Sequence, residues 1–581
     1  MRLPSHTKVA LFALLLGRVA FGAVPGIDGL VASSSNPEGV SIPGNQFKFA
    51  MPNPIGAGNC IALFFTWKPR AGATVVTVAD NNANTWPSSP NVSAFNGVGS
   101  YESDLYLLPN ANSGSTTITV TFGTVSSISN IVGNGTTTSV TTAAAHNLVT
   151  GDTAIIAGVT NTAYNNWFTS ITVTDSTHFN YASTVNQAAS SGGNAMLAMI
   201  PFQYTAYSLY NIATSLPLNG NSTNNNSLAP NLSTPQFTPG NNNANGGNLI
   251  ITYFGLSTIA GGNPSTWTPG VNFTLGDGDI AWTTNTGYPH ASQYFLQTTA
   301  AALTPTMTAI GDTVDGYNGI SIALKAATAG TPPAPGIRID RVLHFTSGAP
   351  PNTWVLQVPS QGNLLVASTN ESPVITISSI TDTQSNTWVK AQFDPSSPQI
   401  WYATGPAQSA STLKITLNIT GTAQPATIIF HDISGAKANA FDSAATCNTG
   451  QGGPGACGTA VAAVTGTTSQ ANVPTITPSV ANGLTISHWT IGIGPGLTIS
   501  SPAGNIDDMV HYTNQGVGGI DFMDNADAFG HFYNPDLTAE NWTYTYALQP
   551  SDSAGGEAVH FLAAAASSAS SSSKTMMGAG N

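Results

Sequence analysis

Apolar and polar residues alternate along most of the chain in short runs, which is the two-residue period of a β-strand. Two such runs, "ATVVTVAD" from Ala73 and "VITISSITD" from Val374, are rich in Val, Ile and Thr, which favour strands. Gly, Pro and Asn interrupt the runs every few residues and supply the turns between them. The pattern predicts an all-β protein with more than one domain.

The two runs belong to a repeat that extends along the chain. The turn "ADNNANTW" from Ala79 matches "TDTQSNTW" from Thr381, and "GNCIALFFTW" from Gly58 matches "GNLLVASTN" from Gly362. Both copies end on a hydrophobic run, and a Pro/Gly-rich segment lies between them. We therefore predict two tandem β-sandwich units at residues 23–326 and 337–565, a linker at 327–336, and a small, polar, disordered tail at 566–581.

The repeated turn has the D-x-N-x-N spacing that opens a calcium loop. An EF-hand would also need Gly at the sixth position and a carboxylate at the twelfth, and neither copy has them. The stretch is better interpreted as a hairpin turn. We expect Asp80 and Asp382 to close the turns through hydrogen bonds to the backbone, and Trp86 and Trp388 to pack in the core.

The size of each unit leaves its architecture open. About eight to ten short strands over some two hundred residues suit a jelly-roll-like sandwich, or two smaller Ig-like sandwiches side by side. The first copy is longer because of an insert at about residues 126–198, which contains strand-like runs separated by "TGD" and "TDSTH" turns.

Two resemblances follow from these motifs. With its "H-x-L-x-x-G-D" stretch, in which His146 and Asp152 match, the insert resembles small β modules of phage tail fibres and bacterial surface proteins. That resemblance implies a spacer or interaction module. The "D-x-x-x-N-T-W" turns and "G-N-x-L" starts resemble those of secreted bacterial proteins with repeated β-sandwich domains, and imply a surface protein.

The N-terminus predicts export. Arg2 and Lys8 precede an apolar core at residues 9–16, and Ala20-Phe21-Gly22 forms a small-x-small site, so residues 1–22 are interpreted as a signal peptide. An apolar core of this length is far below the ~20 residues of a membrane helix, so we expect no membrane span. The net charge of −13 disfavours nucleic acid as a partner. We expect a secreted, extracellular or cell-surface protein.

The cysteines fit an oxidising compartment. Cys447 and Cys457 bracket a Gly/Pro-rich loop, and we predict a disulfide that contributes roughly 2 to 3 kcal/mol. Cys60 lies in an apolar run and is interpreted as a buried small hydrophobic residue.

Few residues indicate chemistry. The chain has no local nucleophile, metalloprotease or phosphate-loop motif. Glu102 and Asp104 lie two apart, so a strand would put both on one face, either as a catalytic carboxylate pair or as an ordinary solvated face.

Two groups of residues are candidates for binding a metal. The segment 507–540 is rich in carboxylates, which suit calcium as a hard cation or simply form a solvated acidic loop; the candidates are Asp507, Asp508, Asp521, Asp524 and Asp527. His344, His488 and His560 each stand beside an aromatic residue on a predicted strand. If the aromatic residues fill the core, the histidines emerge on the outer face, as isolated side chains or as a zinc or copper site.

Solvent-facing tryptophans on a sheet can stack against sugar rings, and the candidates are Trp267, Trp282, Trp401 and Trp542. The leading hypothesis is an exported, non-catalytic binding or surface-interaction protein that recognises polysaccharide, with avidity from the duplication. The alternatives are an extracellular carbohydrate-active hydrolase that uses paired carboxylates and a structural component of an envelope or appendage.

Overall fold

The computed structural model covers most of the chain between its two ends. It describes residues 24–565 except for 35–45, 68–75, 97–100, 124, 153, 169, 198–201, 243–245, 257–265, 279–288, 312–315, 328–332, 334–335, 348–352, 360–361, 370–374, 392–398, 406–411, 422–425, 448–451, 454–455, 465–467, 473–474, 492–498, 501–505, 515–522, 541–542 and 548–551. The predicted signal peptide and tail lie outside the described residues.

Within these residues the secondary structure is β throughout, apart from one 3-10 turn at Thr162–Tyr164. The all-β prediction is confirmed. The strands before the insert are β1 (Gly26–Ser34), β2 (Gln46–Ala50), β3 (Cys60–Trp67), β4 (Val76–Asp80), β5 (Val92–Asn96), β6 (Tyr101–Leu108) and β7 (Thr117–Phe122).

The rest of the first half contains two groups of strands. The first group is β8 (Ser126–Gly133), β9 (Thr137–Thr142), β10 (Ala154–Ala157), β11 (Asn166–Phe168), β12 (Thr172–Val173), β13 (His178–Ala182) and β14 (Asn194–Leu197). The second group is β15 (Phe202–Tyr210), β16 (Leu218–Leu228), β17 (Asn231–Ser233), β18 (Asn248–Leu256), β19 (Thr266–Pro269), β20 (Thr274–Gly278), β21 (His290–Gln297), β22 (Thr306–Ile310) and β23 (Gly316–Lys325).

The second half begins at Arg338. Its strands are β24 (Arg338–Ser347), β25 (Thr353–Pro359), β26 (Leu364–Thr369), β27 (Ile375–Asp382), β28 (Val389–Ala391), β29 (Gln399–Thr404), β30 (Thr412–Gly421), β31 (Ala426–Ser434), β32 (Ala436–Phe441) and β33 (Thr446–Cys447). They continue as β34 (Gly452–Gly453), β35 (Ala456–Val464), β36 (Thr468–Asn472), β37 (Ile476–Thr477), β38 (Gly483–Ile491), β39 (Ile499–Ser500), β40 (Ile506–Asn514), β41 (Met523–Asn534), β42 (Thr543–Ala547) and β43 (Asp552–Ala563).

Three large sheets stack as layers. The central sheet has the order β28-β29-β26-β31-β24-β1-β15-β3-β6-β5. The first outer sheet has the order β16-β23-β18-β21-β20-β25-β30-β27, and the second has β34-β35-β43-β38-β41-β40-β2-β7-β4, with β32 paired to β43. The insert strands form a sheet of their own, in the order β11-β10-β14-β8-β9-β13-β12. The described residues also form smaller sheets, with the strand orders β17-β22-β19, β33-β37 and β36-β42-β39.

The two halves of the chain interlock within these layers. In the central sheet β1 and β24 are parallel neighbours, so the halves meet there. First-half strands β2, β7 and β4 continue the second outer sheet where Phe49 pairs with Met509. Second-half strands β25, β30 and β27 continue the first outer sheet where Gln357 pairs with Gly278. Each half therefore contributes strands to all three sheets.

Equivalent positions of the two halves face opposite sides of the central sheet. Cys60 and Leu365 belong to the first interlayer core, which lies between the central and first outer sheets. Ile61 and Leu364 belong to the second interlayer core, against the second outer sheet. Because Cys60 is equivalent to Leu364 in the repeat, equivalent positions face opposite ways. This is the result of an approximate two-fold axis that runs along the strands between β1 and β24.

The repeated turns have the predicted hydrogen bonds. Oδ1 of Asp80 accepts from the Asn82 N–H at 2.8 Å, and Oδ1 of Asp382 accepts from the Gln384 N–H at 2.9 Å. The second carboxylate oxygen of each Asp also accepts from the indole N–H of Trp86 or Trp388, at 2.7 and 2.8 Å. Both tryptophans are buried. The predicted hydrogen bonds and core packing are confirmed, but the hairpin interpretation is wrong. β4 and β27 pair with β7 and β30 in the outer sheets, whereas β5 and β28 belong to the central sheet, so each turn carries the chain from an outer sheet to the central one.

The cysteines behave as the sequence predicts. Cys447 and Cys457 form a disulfide with Cα atoms 5.6 Å apart. Cys60 is buried and free, and burial raises the pKa of its thiol. Its thiol is therefore protonated and unreactive.

We expect the halves to stay together after the linker is cut, because β-pairing and both interlayer cores join them. A full chain with a protease site inserted between Gly330 and Thr331 should, after cleavage, elute as one particle in native buffer and as two fragments in urea. The intact disulfide does not hold the pieces together, since Cys447 and Cys457 both lie in the second half. Two separate peaks in native buffer would contradict the interlocked arrangement.

Candidate functional site

The candidate histidines do not lie on an outer surface. His344, His488 and His560 are 1%, 0% and 0% exposed. The predicted surface position is therefore wrong. β24, which carries His344, lies in the central sheet between the two outer sheets, and Asp442 packs beside His560. Among the described residues, no group of three or more His, Cys, Asp or Glu side chains is arranged to hold a metal ion.

One of these histidines has a clear structural partner. Nδ1 of His560 lies 2.9 Å from Oδ2 of Asp442, whose Oδ1 accepts from the Ser479 hydroxyl at 2.5 Å. Burial lowers the pKa of His560, although the neighbouring carboxylate opposes the shift. The ring also fills the space beside Gly483, where a Cβ would clash with it. His560 thus links β43 to Asp442, which in turn accepts a hydrogen bond from Ser479.

The acidic segment is only partly described. Asp507 and Asp508 lie on β40, Asp524 and Asp527 lie on β41, and Asp521 is outside the described residues. Calcium binding in this segment stays a prediction.

Two of the candidate sugar-stacking tryptophans are inside the protein. Trp267 is 1% exposed and Trp401 is 9% exposed, so the expectation that they face the solvent is wrong. Trp267 packs between β19 and the first outer sheet, and the indole N–H of Trp401 donates to Oε1 of Gln399 at 2.9 Å. Trp282 and Trp542 lie outside the described residues.

The carboxylates Glu102 and Asp104 lie together near one edge of the central sheet. Both are on β6, between β3 and the edge strand β5. Glu102 is opposite Trp67 on β3 and opposite Phe95 on β5. Directly opposed residues of antiparallel strands share a face, so these side chains form one row across the sheet. The prediction that both carboxylates share a face agrees with this register.

Asp104 is the buried member of the pair, with 2% exposure. Its Oδ2 accepts from the indole N–H of Trp67 at 2.9 Å, and its Oδ1 accepts from the Ser93 hydroxyl at 2.5 Å. Burial raises the pKa of Asp104, while the hydrogen bonds from Ser93 and Trp67 work in the opposite direction. Asp104 is consequently fixed from both sides and faces no open space.

Glu102 is half-buried and holds a proton near neutral pH. Burial raises its pKa to about 7, and the charge of Asp104 and a hydrogen bond between the two carboxyl groups add to the shift. Two carboxyls this close share one proton because like charges cannot both ionise cheaply. At or below neutral pH, Glu102 can donate a hydrogen bond as well as accept one.

The sequence analysis missed Phe95, which stands next to Glu102. This aromatic side chain is 48% exposed, whereas Val92 and Ala94 on the same strand are buried. The run "VSAFN" carries the signal, since its alternation directs Ser93 and Phe95 to the face opposite Val92 and Ala94. Phe95 and Glu102 therefore form a surface with one apolar and one hydrogen-bonding group.

The second half lacks this carboxylate pair. The strand register places Gln399 of β29 where β6 has Asp104, since each lies opposite the equivalent residue of the neighbouring strand. Gln399 is neutral, and it accepts from an indole N–H as Asp104 does. The surface at Phe95 and Glu102 is thus specific to the first half.

The pKa of Glu102 predicts a pH-dependent stability. The folded state holds the proton more tightly than the unfolded chain, whose Glu titrates near 4.5. Its stabilising effect is complete below that value and is lost as pH rises through about 7. We expect Glu102→Gln to be more stable than the wild type at pH 8 by about 1 kcal/mol, after discounting the shift for the half-exposed side chain. Urea unfolding at pH 4 and pH 8 measures this, and equal pH dependence in both proteins would contradict it.

Neither protein-family models nor curated proteins match this chain. In the part of the chain that the structure describes, no helix is long and apolar enough to cross a membrane. A proposal about function therefore has to rest on the chemistry of the chain's own residues.

Proposed function

We propose that the chain is an exported, non-catalytic binding protein whose surface at Phe95 and Glu102 contacts a polysaccharide. The observation that carries the proposal is the exposed aromatic ring directly opposite a half-buried carboxyl group whose pKa is raised to about 7. A sugar ring offers C–H groups to stack on an aromatic face and hydroxyls that both donate and accept hydrogen bonds. Phe95 and Glu102 supply those two contacts side by side.

The carboxylate pair fits binding better than hydrolysis. Glycosidases need two carboxyl groups about 5 to 9 Å apart, one on each side of the scissile bond. Glu102 and Asp104 hydrogen-bond to each other on one strand, and Asp104 is buried behind Trp67 and Ser93. No sugar can pass between them. Asp104 acts instead on Glu102, because its negative charge helps to keep Glu102 protonated.

Binding to insoluble polysaccharides tests the proposal. The full chain should pull down with one of a panel that includes cellulose and chitin, and Phe95→Ala should weaken that binding about tenfold, the loss expected for one stacking contact. Val389→Ala is the matched control, since Val389 is 42% exposed near the opposite edge of the same sheet. Undiminished binding by Phe95→Ala would overturn the proposal. Release of reducing ends that Glu102→Gln abolishes would favour the hydrolase instead.

A further inference from the structure

The first interlayer core contains a buried carboxamide with no partner. Gln203 on β15 is 0% exposed, and neither its Oε1 nor its Nε2 has a hydrogen-bond partner among the described residues. A buried amide without hydrogen-bond partners destabilises the folded state, because it has lost its bonds to water without gaining others. Such a side chain calls for an explanation beyond packing.

A hydroxyl group stands beside this carboxamide. Thr66 on β3 lies directly opposite Gln203, and both side chains face the first outer sheet. The Thr66 Oγ1 and the Gln203 Nε2 are both within 3.2 Å of the point where a Cβ on Gly255 would sit. Both groups thus border the space that the absent side chain of Gly255 leaves open. Thr66 Oγ1 is 2.6 Å from the Ser103 hydroxyl and accepts from the Tyr253 hydroxyl at 3.1 Å.

A histidine and a carboxylate complete the cluster. His290 on β21 pairs with Gly255 across the strands, is 1% exposed, and has no partner at Nδ1 among the described residues. Its Nε2 lies 2.9 Å from Oδ2 of Asp277, although not at a hydrogen-bonding angle. Asp277 is held by hydrogen bonds from Thr205 and Ser292. A nucleophile, an electrophile and a base are therefore buried around Gly255, between the central and first outer sheets.

We propose that Thr66 and Gln203 form an intramolecular ester that crosslinks β3 to β15. His290 takes the proton from the Thr66 hydroxyl as Oγ1 attacks Cδ of Gln203. The new Oγ1–Cδ bond forms, the Cδ–Nε2 bond breaks, and His290 returns the proton to the leaving nitrogen, which departs as ammonia. No oxidant or cofactor is needed. Asp277 is a positioning residue, because it stabilises the protonated imidazole and does not touch the reacting atoms.

The crosslink would give the exported chain a covalent bond between neighbouring strands of the central sheet. It also removes the amide nitrogen that has no partner. In the second half the residue at the position of Gln203 is Thr427, so the repeat supplies no second carboxamide there. The ester is therefore expected in the first half alone.

Mass spectrometry of the purified full chain tests the proposal. After reduction of the disulfide, the expected intact mass is one ammonia below the mass calculated for the same purified chain, and proteolysis should leave the peptides containing Thr66 and Gln203 joined until hydroxylamine cleaves the ester. Succinimide formation at an asparagine would also release ammonia, so the mass loss alone is not decisive. The joined peptide is the evidence that distinguishes the ester from a succinimide. Separate peptides from the wild type would overturn the proposal.

Variants give an independent check. Thr66→Val keeps the shape of the side chain and should restore the full mass, and His290→Gln should raise the uncrosslinked fraction at least tenfold. The melting profile of each variant shows that it is folded. Peptides that remain joined in Thr66→Val would place the crosslink elsewhere and overturn the assignment.

Discussion

Replacing Asp432 with alanine is expected to destabilise the protein by about 4 kcal/mol, because its partner Arg341 is buried. Asp432 is 0% exposed and Arg341 4%, and Nη1 of Arg341 donates to Oδ2 of Asp432 at 2.9 Å. The other carboxylate oxygen accepts from the Gly362 N–H at 2.8 Å. The variant removes both bonds and leaves a guanidinium in the interior without this carboxylate.

The arginine of this ion pair also links the two halves of the molecule. Arg341 belongs to β24 of the second half, and its Nε donates to the carbonyl of Gly276 on β20 of the first half at 3.0 Å. Urea unfolding measures the loss. Asp175→Ala is the control, since the exposed Asp175 bonds to Thr177 and His178 beside it in the chain and its loss should cost far less. The double variant Arg341→Met, Asp432→Leu should recover most of the loss. An Asp432→Ala protein as stable as the control would show that the pair contributes nothing.

Removing either turn aspartate should cost about 3 kcal/mol, because each carboxylate holds together a whole turn between an outer sheet and the central sheet. Asp80 accepts from the backbone N–H groups of Asn82 and Asn84, from the Asn84 side chain and from Trp86. The second-half turn repeats these four bonds around Asp382. Alanine would leave the indole N–H of a buried tryptophan without its acceptor.

The two turns provide an internal comparison. Trp86 packs in the second interlayer core and Trp388 in the first, but the hydrogen bonds are the same. Asp80→Ala and Asp382→Ala should therefore destabilise the protein by similar amounts, as measured by thermal or urea unfolding. The exposed Thr85 and Thr387 of the same turns supply the controls. If Asp80→Ala cost no more than Thr85→Ala, the turn hydrogen bonds would not be the cause.

The comparison of the halves shows where the chain has diverged. Gly29 on β1 and Arg341 on β24 occupy equivalent positions, each after a bulge in the strand pairing. At Gly29 the space of a side chain is taken by Asn53, whereas Arg341 carries a buried charge at the equivalent place. The candidate site shows the same kind of difference, since Asp104 in the first half is replaced by Gln399 at the equivalent position of the second half. The two halves thus share the same strand arrangement but differ in their buried polar side chains.

The sequence by itself determined the features that depend on local spacing. Alternation and turn residues identified the all-β class, and the Asp-to-Trp turns identified the duplication. The short loop between Cys447 and Cys457 allowed the disulfide to be predicted, and the two-residue spacing put Glu102 and Asp104 on one face. Each of these follows from contacts between residues close in the chain or from a regular period.

Only the tertiary structure decided which faces meet solvent. β5 alternates between buried and exposed residues, whereas β3 in the same sheet is buried at every position because outer sheets cover both its faces. For this reason His344 and Trp401 of the central sheet are inside, while Phe95 is exposed at the edge of the same sheet. Alternation gives a strand two faces, but long-range pairing decides what covers each one. The meeting of Thr66, Gln203 and His290 has the same origin, since residues far apart in sequence come together only when the layers stack.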